Sequence, residues 1–391
     1  MTRQDREEKL LPKRADWEQQ LLAHRRWLHQ HPELAFLEEE TTKYIVKHLK
    51  RANIPCRQLG KSGVIADLAV DKALPTIAVR AEIDAIAVPE ETGLPFASLY
   101  EGNMHACGHD ANTAILLTLA EVLAEKKEYL SCNVRFLFEP AEEIGEGADY
   151  MIQHGALENP KPESVVIFHF GNQEPRAMEI QQSITTAKIG GLEIHITGRS
   201  AHFFQYEEGI DAMYAASRLL IAVEEINRLV STEHPFVLAF GCMSAGTGGN
   251  IVAETADLKG SLRAFTEEDF QAVYLELQKR AEEIERETGA KIQIVMTKVI
   301  PPIINEKQMV ARGSEVGRYI FGDQFQIGTK PFLVGDNAAY YMEEVPGMRV
   351  VFLAKKEQEA VYPMHNPRFD LDESVMMDAL RFLLLFLFER Q

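Results

Sequence analysis

The sequence predicts an α/β domain with a mixed, largely parallel sheet, interrupted by a smaller α+β domain. Short β-rich runs alternate with helical stretches up to about residue 185, which is typical of a layered domain with parallel strands. From 186 to 300 the strands alternate apolar and polar residues, and the elements follow the order β-α-β-β-α-β. The α/β pattern then resumes. We therefore expect one domain formed by 1–185 and 301–391 around an insert at 186–300, which suits a chain of 391 residues.

The first domain begins with two predicted helices, which four predicted strands follow. Apolar residues recur at helical spacing over 11–31, and the tripeptide P-E-L at 32–34 ends the pattern. A second amphipathic helix is expected from about Glu39 to Arg51. The predicted strands are short and β-rich, and they cover 64–70, 76–84, 133–140 and 164–170.

The insert and the C-terminus complete the predicted elements. Helices are expected at about 208–230 and 266–288, and alternating strands at 190–199, 236–243, 252–265 and 291–299. The most apolar stretch, F-L-L-L-F-L-F at 382–388, is too short to span a bilayer, which needs about 20 residues. We expect it to form a buried C-terminal helix.

Composition narrows the class of protein. With 59 acidic and 41 basic residues, the formal charge of −18 repels phosphate backbones, so we expect no nucleic-acid partner. Its cysteines, at 56, 107, 132 and 242, are spaced too unevenly for a disulfide framework. The charged start M-T-R-Q-D-R-E-E-K has no apolar core, so we expect no signal peptide. These features predict a cytoplasmic protein without membrane association.

Potential metal ligands occur at four places, mostly where predicted strands end. Imidazole, thiolate and carboxylate groups together suit zinc, manganese, cobalt or nickel better than magnesium or calcium. Each place alone is a weak signal. The candidates are Cys107 and His109 in M-H-A-C-G-H-D, Glu142 and Glu143 in F-E-P-A-E-E, His169 in F-H-F, and His365 in P-M-H-N-P.

The adjacent carboxylates Glu142 and Glu143 suggest a division of labour. One of them can bind a metal, while the other stays unligated and acts as a general base toward water. This combination is typical of hydrolysis.

Five ordered motifs between about 25 and 370 resemble peptidase family M20 amidohydrolases. The subgroup most similar to this sequence contains N-acyl-amino-acid amidohydrolases, hippurate hydrolases and auxin-conjugate hydrolases. The motifs are R-R-W-L-H-Q-H-P-E-L, R-A-E-I-D-A-I-A-V-P-E-E-T-G-L-P-F-A-S, N-M-H-A-C-G-H-D, F-E-P-A-E-E-I-G-E-G-A and M-H-N-P-R-F-D.

The resemblance implies a catalytic domain that binds two divalent metal ions, and an inserted lid domain that forms a homodimer or homotetramer. It implies hydrolysis of small N-acyl amino acids or related conjugates. The implied metal ligands are Cys107, His109, Glu143, His169 and His365, with Glu142 as general base. Other implied roles are orientation of a ligand by Asp84, oxyanion stabilisation by His202, and substrate binding by Asn250 and Arg263.

The sequence departs from the family pattern near these motifs. Glu82 stands where the family has aspartate, Ala87 where it has proline, Asn112 where it has histidine, and Glu139 where it has glutamine. From these changes we expect Glu139 to add a negative charge beside the site and Asn112 to mark an altered rim. In addition, F-F-Q-Y-E at 203–207 replaces A-A-M-P-H, and D-N-A-A-Y-Y at 336–341 replaces E-D-F-A-Y-Y. Both lie where the family builds its substrate pocket, which predicts a specificity different from the hippurate and auxin-conjugate pattern.

Two further hypotheses share this scaffold. A dipeptidase or carboxypeptidase would use the same metals. Relative rates on N-acetyl amino acids and unblocked dipeptides would distinguish such a peptidase from an N-acyl-amino-acid amidohydrolase. The changes at 82, 112 and 139 would also suit a metal-binding homologue that has lost catalysis. His105 in M-H-A-C is not expected to bind metal, and we predict a packing or supporting role for it.

Overall fold

The computed structural model describes residues 3–10, 14–356 and 360–388. Its helices are α1 (Arg3–Leu10), α2 (Arg14–Gln30), α3 (Glu39–Arg51), α4 (His109–Glu125), α5 (Gly147–Gln153), α6 (Ala212–Leu229), α7 (Glu267–Thr288), α8 (Lys307–Phe321), α9 (Ala339–Glu344) and α10 (Ser374–Phe388). Its strands are β1 (Cys56–Gln58), β2 (Val64–Leu68), β3 (Thr76–Glu82), β4 (Asn133–Glu139), β5 (Ser164–Gly171), β6 (Ala177–Gln181), β7 (Lys188–Thr197), β8 (Val237–Ala245), β9 (Thr255–Ala264), β10 (Lys291–Ile300), β11 (Phe325–Gly328) and β12 (Gly347–Leu353).

The chain forms two compact units. The larger comprises Met1–Ser183, Ile304–Lys330 and Asn337–Gln391, and the smaller comprises Ile184–Ile303 together with Pro331–Asp336. A main-chain hydrogen bond joins the short second segment of the smaller unit to the first: Phe332 N–H donates to the carbonyl of Thr185 at 2.9 Å. Sequence patterning did not indicate this segment, because six residues are too few to show a periodicity.

The larger unit contains a mixed sheet with the strand order β1-β2-β4-β3-β5-β12-β6-β11. Parallel pairs join β3 to β4, β3 to β5, β5 to β12 and β6 to β11. The remaining pairs, β1–β2, β2–β4 and β6–β12, are antiparallel. The predicted fold class is therefore confirmed for this unit.

The parallel run β4-β3-β5 determines where the candidate site lies. Because parallel strands end at the same edge of a sheet, the segments that follow β3 and β4 emerge next to the end of β5. The β3–β4 register pairs Glu82 with Glu139, so the two strands end side by side. Asp84, Glu142 and His169 are thereby brought to one edge.

Helices α4 and α10 form much of the hydrophobic core of the larger unit. Residues 109–123 of α4 are all buried. A helix that is buried on every side has no face in contact with solvent, so it does not need a polar face. The predicted buried helix at 382–388 is confirmed as part of α10. Residues 11–13 of the first predicted helix lie outside the described residues, and the rest of that helix forms α2. In the described ranges no helix has both the length and the apolar character needed to cross a membrane.

The smaller unit is an antiparallel sheet with the strand order β10-β7-β9-β8, and its two helices are α6 and α7. The predicted order β-α-β-β-α-β is confirmed. Helix α7 begins where the Thr266 side chain accepts a hydrogen bond from Asp269 N–H, and it ends at Gly289, whose φ is 78°. These are usual signals for the start and the end of a helix.

Candidate active site

Asp84, directly after β3, connects two predicted ligands. Its side-chain Oδ1 and its own carbonyl oxygen lie 3.2 and 3.0 Å from Nδ1 of His109. Its Oδ2 accepts a hydrogen bond from the main-chain N–H of Glu143 at 2.9 Å. Because Nδ1 of His109 faces two acceptors, it carries the proton, and Nε2 keeps a lone pair that can bind a metal.

A glycine turn separates Cys107 from His109. Gly108 has φ 90° and immediately precedes α4. A side chain is strained at this φ, so glycine suits the turn that places the thiol of Cys107 and the imidazole of His109 on the same site.

The other two histidines are oriented by the main chain. His169 donates from Nδ1 to the carbonyl of Phe170 at 2.7 Å, while its Nε2 lies 3.7 Å from Sγ of Cys107. His365 has φ 68°, and its main-chain N–H donates to the carbonyl of Ala106 at 2.8 Å. Its Nε2 lies 3.3 Å from Oε2 of Glu143.

The five predicted ligands and Glu142 are close together in the larger unit. In each of three overlapping groups, the donor atoms lie within 4.8 Å of one another; the groups are Cys107–His109–His169, Cys107–Glu143–His365 and His109–Glu142–Glu143. Among the described residues, the buried atoms Nε2 of His109 and Oε1 of Glu143 have no hydrogen-bond partner. Unpartnered lone pairs beside a thiol are what a thiophilic divalent metal would use.

The electrostatics favour anionic ligands. Burial disfavours the Cys107 thiolate, but the charge of His109 and hydrogen bonds to His109, His169 and His365 together lower the thiol pKa to about 6. Burial likewise opposes ionisation of Glu143, but pairing with His365 lowers its pKa to about 2. Hydrogen bonding to Cys107 and Glu143 raises the pKa of His365 to about 10. The thiolate and the carboxylate are therefore available as ligands near neutral pH, where a metal can replace the protons on the imidazoles.

Glu142 lies on a loop that Glu38 holds in place. Oε2 of Glu142 is 3.9 Å from Nε2 of His109. The loop begins at Ala141, whose φ of 54° is unusual for a residue with a side chain, and whose N–H donates to Oε1 of Glu38 at 2.8 Å. Glu38 is fully buried, and burial raises its pKa to about 7. Sequence reasoning missed Glu38, since nothing distinguishes it from the two glutamates that follow.

Beside the site, a fully buried cation pairs with two carboxylates. Arg80 donates from Nε and Nη2 to the two carboxylate oxygens of Glu139 at 2.9 and 2.7 Å, and its Nη1 also bonds Glu82. Nη2 donates in addition to Oδ1 of Asn337 at 2.8 Å. Asn112 donates to Oε2 of Glu82 at 2.8 Å.

This network corrects three expectations. The prediction that Asn112 marks the rim of the site is wrong, because Asn112 is fully buried in α4 and hydrogen-bonded to Glu82. The carboxylate of Glu139 does lie near the site, but its charge is paired with the guanidinium of Arg80 instead of being presented to a ligand. Asn337 is 1% exposed and contacts Arg80, so this part of D-N-A-A-Y-Y does not line a substrate pocket.

His105 is buried, and neither of its ring nitrogens has a hydrogen-bond partner within the described part of the chain. Burial lowers its pKa to about 4, which keeps the imidazole neutral. These observations agree with the predicted packing role.

The remaining predicted residues lie in the smaller unit. His202 precedes the short 3-10 segment Phe203–Glu208, and its Nδ1 accepts a hydrogen bond from Phe204 N–H at 3.1 Å. Asn250 is exposed, and its carbonyl accepts from Phe203 N–H at 3.2 Å, so it lies next to His202. Arg263 on β9 donates from Nη1 to the carbonyl of Leu333 at 2.9 Å.

A buried ionic cluster holds the start of α4. Asp110 accepts from Arg25 Nε at 3.2 Å, and it lies 2.8 Å from Nδ1 of His29. Burial disfavours the imidazolium of His29, but the charge and hydrogen bond of Asp110, together with a hydrogen bond to Glu90, raise its pKa from 6.5 to about 9. The cluster thereby fixes the turn that carries Cys107 and His109.

This cluster predicts a pH-dependent contribution to stability. Because the folded-state pKa of His29 is raised, its stabilisation is fully present below pH 6.5 and is lost as the pH rises through about 9. The free energy of unfolding of wild type minus that of His29→Gln is expected to shrink by about 2–3 kcal/mol over this window. Urea unfolding at a series of pH values would measure it. A difference that stays constant with pH would contradict the assignment.

Comparisons with known proteins agree with this geometry. A family model described as peptidase family M20/M25/M40 matches residues 78–389. N-acetyl-L-cysteine deacetylase of Bacillus subtilis (strain 168) is 33% identical over 372 residues, which cover 94% of this chain and 87% of that protein. N-acetylcysteine deacetylase of the same strain is 32% identical over 368 residues, covering 93% and 94% respectively. The crystal structure of the B. subtilis YXEP protein, a dinuclear metal-binding peptidase from the M20 family, matches with a TM-score of 0.82 at 30% identity, covering 96% of this chain and 98% of that chain.

Proposed function

This chain belongs to peptidase family M20/M25/M40, and from that premise we propose that it is a metal-dependent amidohydrolase of N-acyl amino acids. The products are a carboxylate and a free amino acid. The observation that carries the proposal is the close grouping of one thiol, three imidazoles and one carboxylate, with a second carboxylate, Glu142, beside them. Two relatives named for N-acetylcysteine deacetylation support a small acyl group such as acetyl.

The side chains present fit two divalent metal ions. Cys107, His109, Glu143, His169 and His365 would hold them, and the unpartnered atoms on His109 and Glu143 are consistent with this use. Cys107, His109 and Glu143 each belong to two of the three ligand groups, so the donors form one continuous cluster that could hold more than one ion. When bound, such metals lower the pKa of water and polarise a carbonyl. The donor set suits zinc, manganese, cobalt or nickel.

Glu142 is the proton carrier in this proposal. The carboxylate accepts a proton from the water that adds to the acyl carbonyl, and it then delivers that proton to the leaving amine as the C–N bond breaks. Glu38 holds the main chain before Glu142 through the Ala141 N–H. Asp84 keeps the His109 imidazole and the Glu143 main chain in one orientation.

The smaller unit supplies the groups proposed for substrate recognition. We assign oxyanion stabilisation to His202, substrate contact to Asn250, and pairing with the substrate carboxylate to Arg263, whose planar guanidinium suits bidentate binding. We also propose that the unit at 186–300 acts as a lid and assembles the chain into a homodimer or homotetramer in the cytoplasm.

A substrate panel combined with metal analysis tests this function. Purified protein is expected to carry transition metal and to hydrolyse N-acetyl amino acids, including N-acetylcysteine, faster than unblocked dipeptides. Chelation should abolish turnover, and zinc, manganese, cobalt and nickel should be added back separately to find which ions restore it.

Three results would contradict the proposal in different ways. Faster cleavage of dipeptides would favour the peptidase hypothesis. Bound metal without turnover on a broad panel of acyl amino acids would favour a non-catalytic homologue. Turnover that survives complete removal of metal would exclude the mechanism altogether.

A further inference from the structure

Three helices of the larger unit bring a second set of metal-type ligands together, outside the candidate active site. His24 on α2, His48 on α3 and Glu121 on α4 offer donor atoms that all lie within 4.8 Å of one another. Nε2 of His24 is 3.1 Å from Oε2 of Glu121, and Nδ1 of His48 is 3.2 Å from its Oε1. We propose that these residues form a structural site for a divalent transition metal such as zinc.

The distances match the spacing of ligands around one ion. Zinc binds imidazole nitrogen and carboxylate oxygen at about 2.0–2.2 Å, which places neighbouring ligands of a tetrahedral site roughly 3.3 Å apart. The two contacts to Glu121 are close to this spacing. The imidazole rings of His24 and His48 are 4.6 Å apart and nearly perpendicular, so both can present a nitrogen to the same carboxylate. Two imidazoles and one carboxylate are a set that zinc, cobalt and nickel favour over magnesium or calcium.

The surroundings orient these ligands as a metal site requires. Nδ1 of His24 lies 2.8 Å from the hydroxyl of Tyr44, which can accept a hydrogen bond from Nδ1–H and so leave Nε2 for the metal. Gln20 donates to Oε2 of Glu121 at 2.5 Å. Tyr44 in turn stacks on Trp27, with the ring centroids 3.8 Å apart, which holds its hydroxyl beside His24. The site stays reachable, because the side chain of His48 is 16% exposed while His24 is 2% exposed.

This cluster is separate from the candidate active site. Glu121 and His109 are both on α4, and their spacing in sequence corresponds to about 18 Å along the helix axis. The cluster contains no thiol, whereas Cys107 belongs to the other site. A metal here would link α2, α3 and α4, and so would brace the helix whose first residue is His109.

The competing explanation is a closed set of hydrogen bonds without metal. With Nε2–H on His24 and Nδ1–H on His48, Glu121 accepts from both rings, and the Tyr44 hydroxyl donates to His24. Metal binding requires the opposite tautomer on both rings, with Nδ1–H on His24 and Nε2–H on His48. The two explanations therefore predict different metal stoichiometries for the same protein.

Cobalt titration of the full-length protein, stripped of metal with a chelator, distinguishes them. Wild type is expected to bind one more Co²⁺ per chain than His48→Gln or Glu121→Gln. The additional ion should add ligand-field absorption without a thiolate charge-transfer band, since only nitrogen and oxygen bind it. The matched control is His234→Gln, because His234 also pairs with a carboxylate, Asp269, at 2.9 Å but belongs to no group of potential metal ligands among the described residues. It should bind as many ions as wild type.

Stability supplies a second readout. Zn²⁺ in excess should raise the melting temperature of wild type and His234→Gln more than that of His48→Gln, because it cross-links three helices only where the site is intact. Equal cobalt stoichiometry in wild type, His48→Gln and Glu121→Gln would overturn the proposal and leave the hydrogen-bonded network. The count of bound ions does not depend on turnover, so it is independent of the proposed catalytic function.

Discussion

Glu142→Gln is expected to lower kcat for N-acetyl amino acids by roughly 10²–10⁴-fold while bound metal and KM stay close to wild type. The amide has nearly the shape of the carboxylate, but it cannot accept the proton of the attacking water. The potential ligands Cys107, His109 and His365 are unchanged in this variant, so we expect it to bind metal as wild type does. Steady-state kinetics and metal analysis on the same preparation would measure both quantities.

The neighbouring glutamate provides the matched control. Glu143→Gln removes a carboxylate that lies 3.3 Å from His365 and whose Oε1 has no hydrogen-bond partner in the described ranges, so it should lose metal as well as activity. Full activity in Glu142→Gln would contradict the role of general base. If the two variants lost metal equally, the division of labour between the adjacent carboxylates would be wrong.

The fold was predictable because strands and helices are encoded by local signals, whereas the set of ligands was expected from the resemblance to the M20 family. Alternating strands and helices imply a parallel sheet, and parallel strands end at one edge, where Asp84, Glu142 and His169 do meet. Cys107 and His109 are two residues apart on a glycine turn, so their proximity was also readable from the chain.

What the sequence could not predict depends on side chains that pack across elements. Asn112 and Glu82 contact each other only because of how α4 sits against β3, and no pattern within either segment encodes that packing. In this chain a glutamate stands where the family has aspartate and an asparagine stands where it has histidine, and the two side chains contact each other at 2.8 Å. The link from Glu38 to Ala141 was hidden for the same reason.

Arg80→Met is expected to lower the free energy of unfolding by about 3–5 kcal/mol, because it leaves two buried carboxylates without their cation. Glu82 and Glu139 are 1% and 0% exposed and lie side by side in the β3–β4 register. Burial already raises the pKa of Glu139, and the neighbouring carboxylate of Glu82 raises it further. Urea unfolding of the metal-saturated protein would measure the loss.

Glu139→Gln tests whether the missing cation, and not a disturbed core, causes that loss. Arg80 keeps its partner Glu82 and its contact with Asn337 in this variant, and one of two crowded negative charges is removed. We expect it to cost about 1 kcal/mol or less, and to recover part of the stability when it is combined with Arg80→Met. If Glu139→Gln destabilised as much as Arg80→Met, and the double variant were additive, the network would be stabilised by packing of its side chains and not by charge.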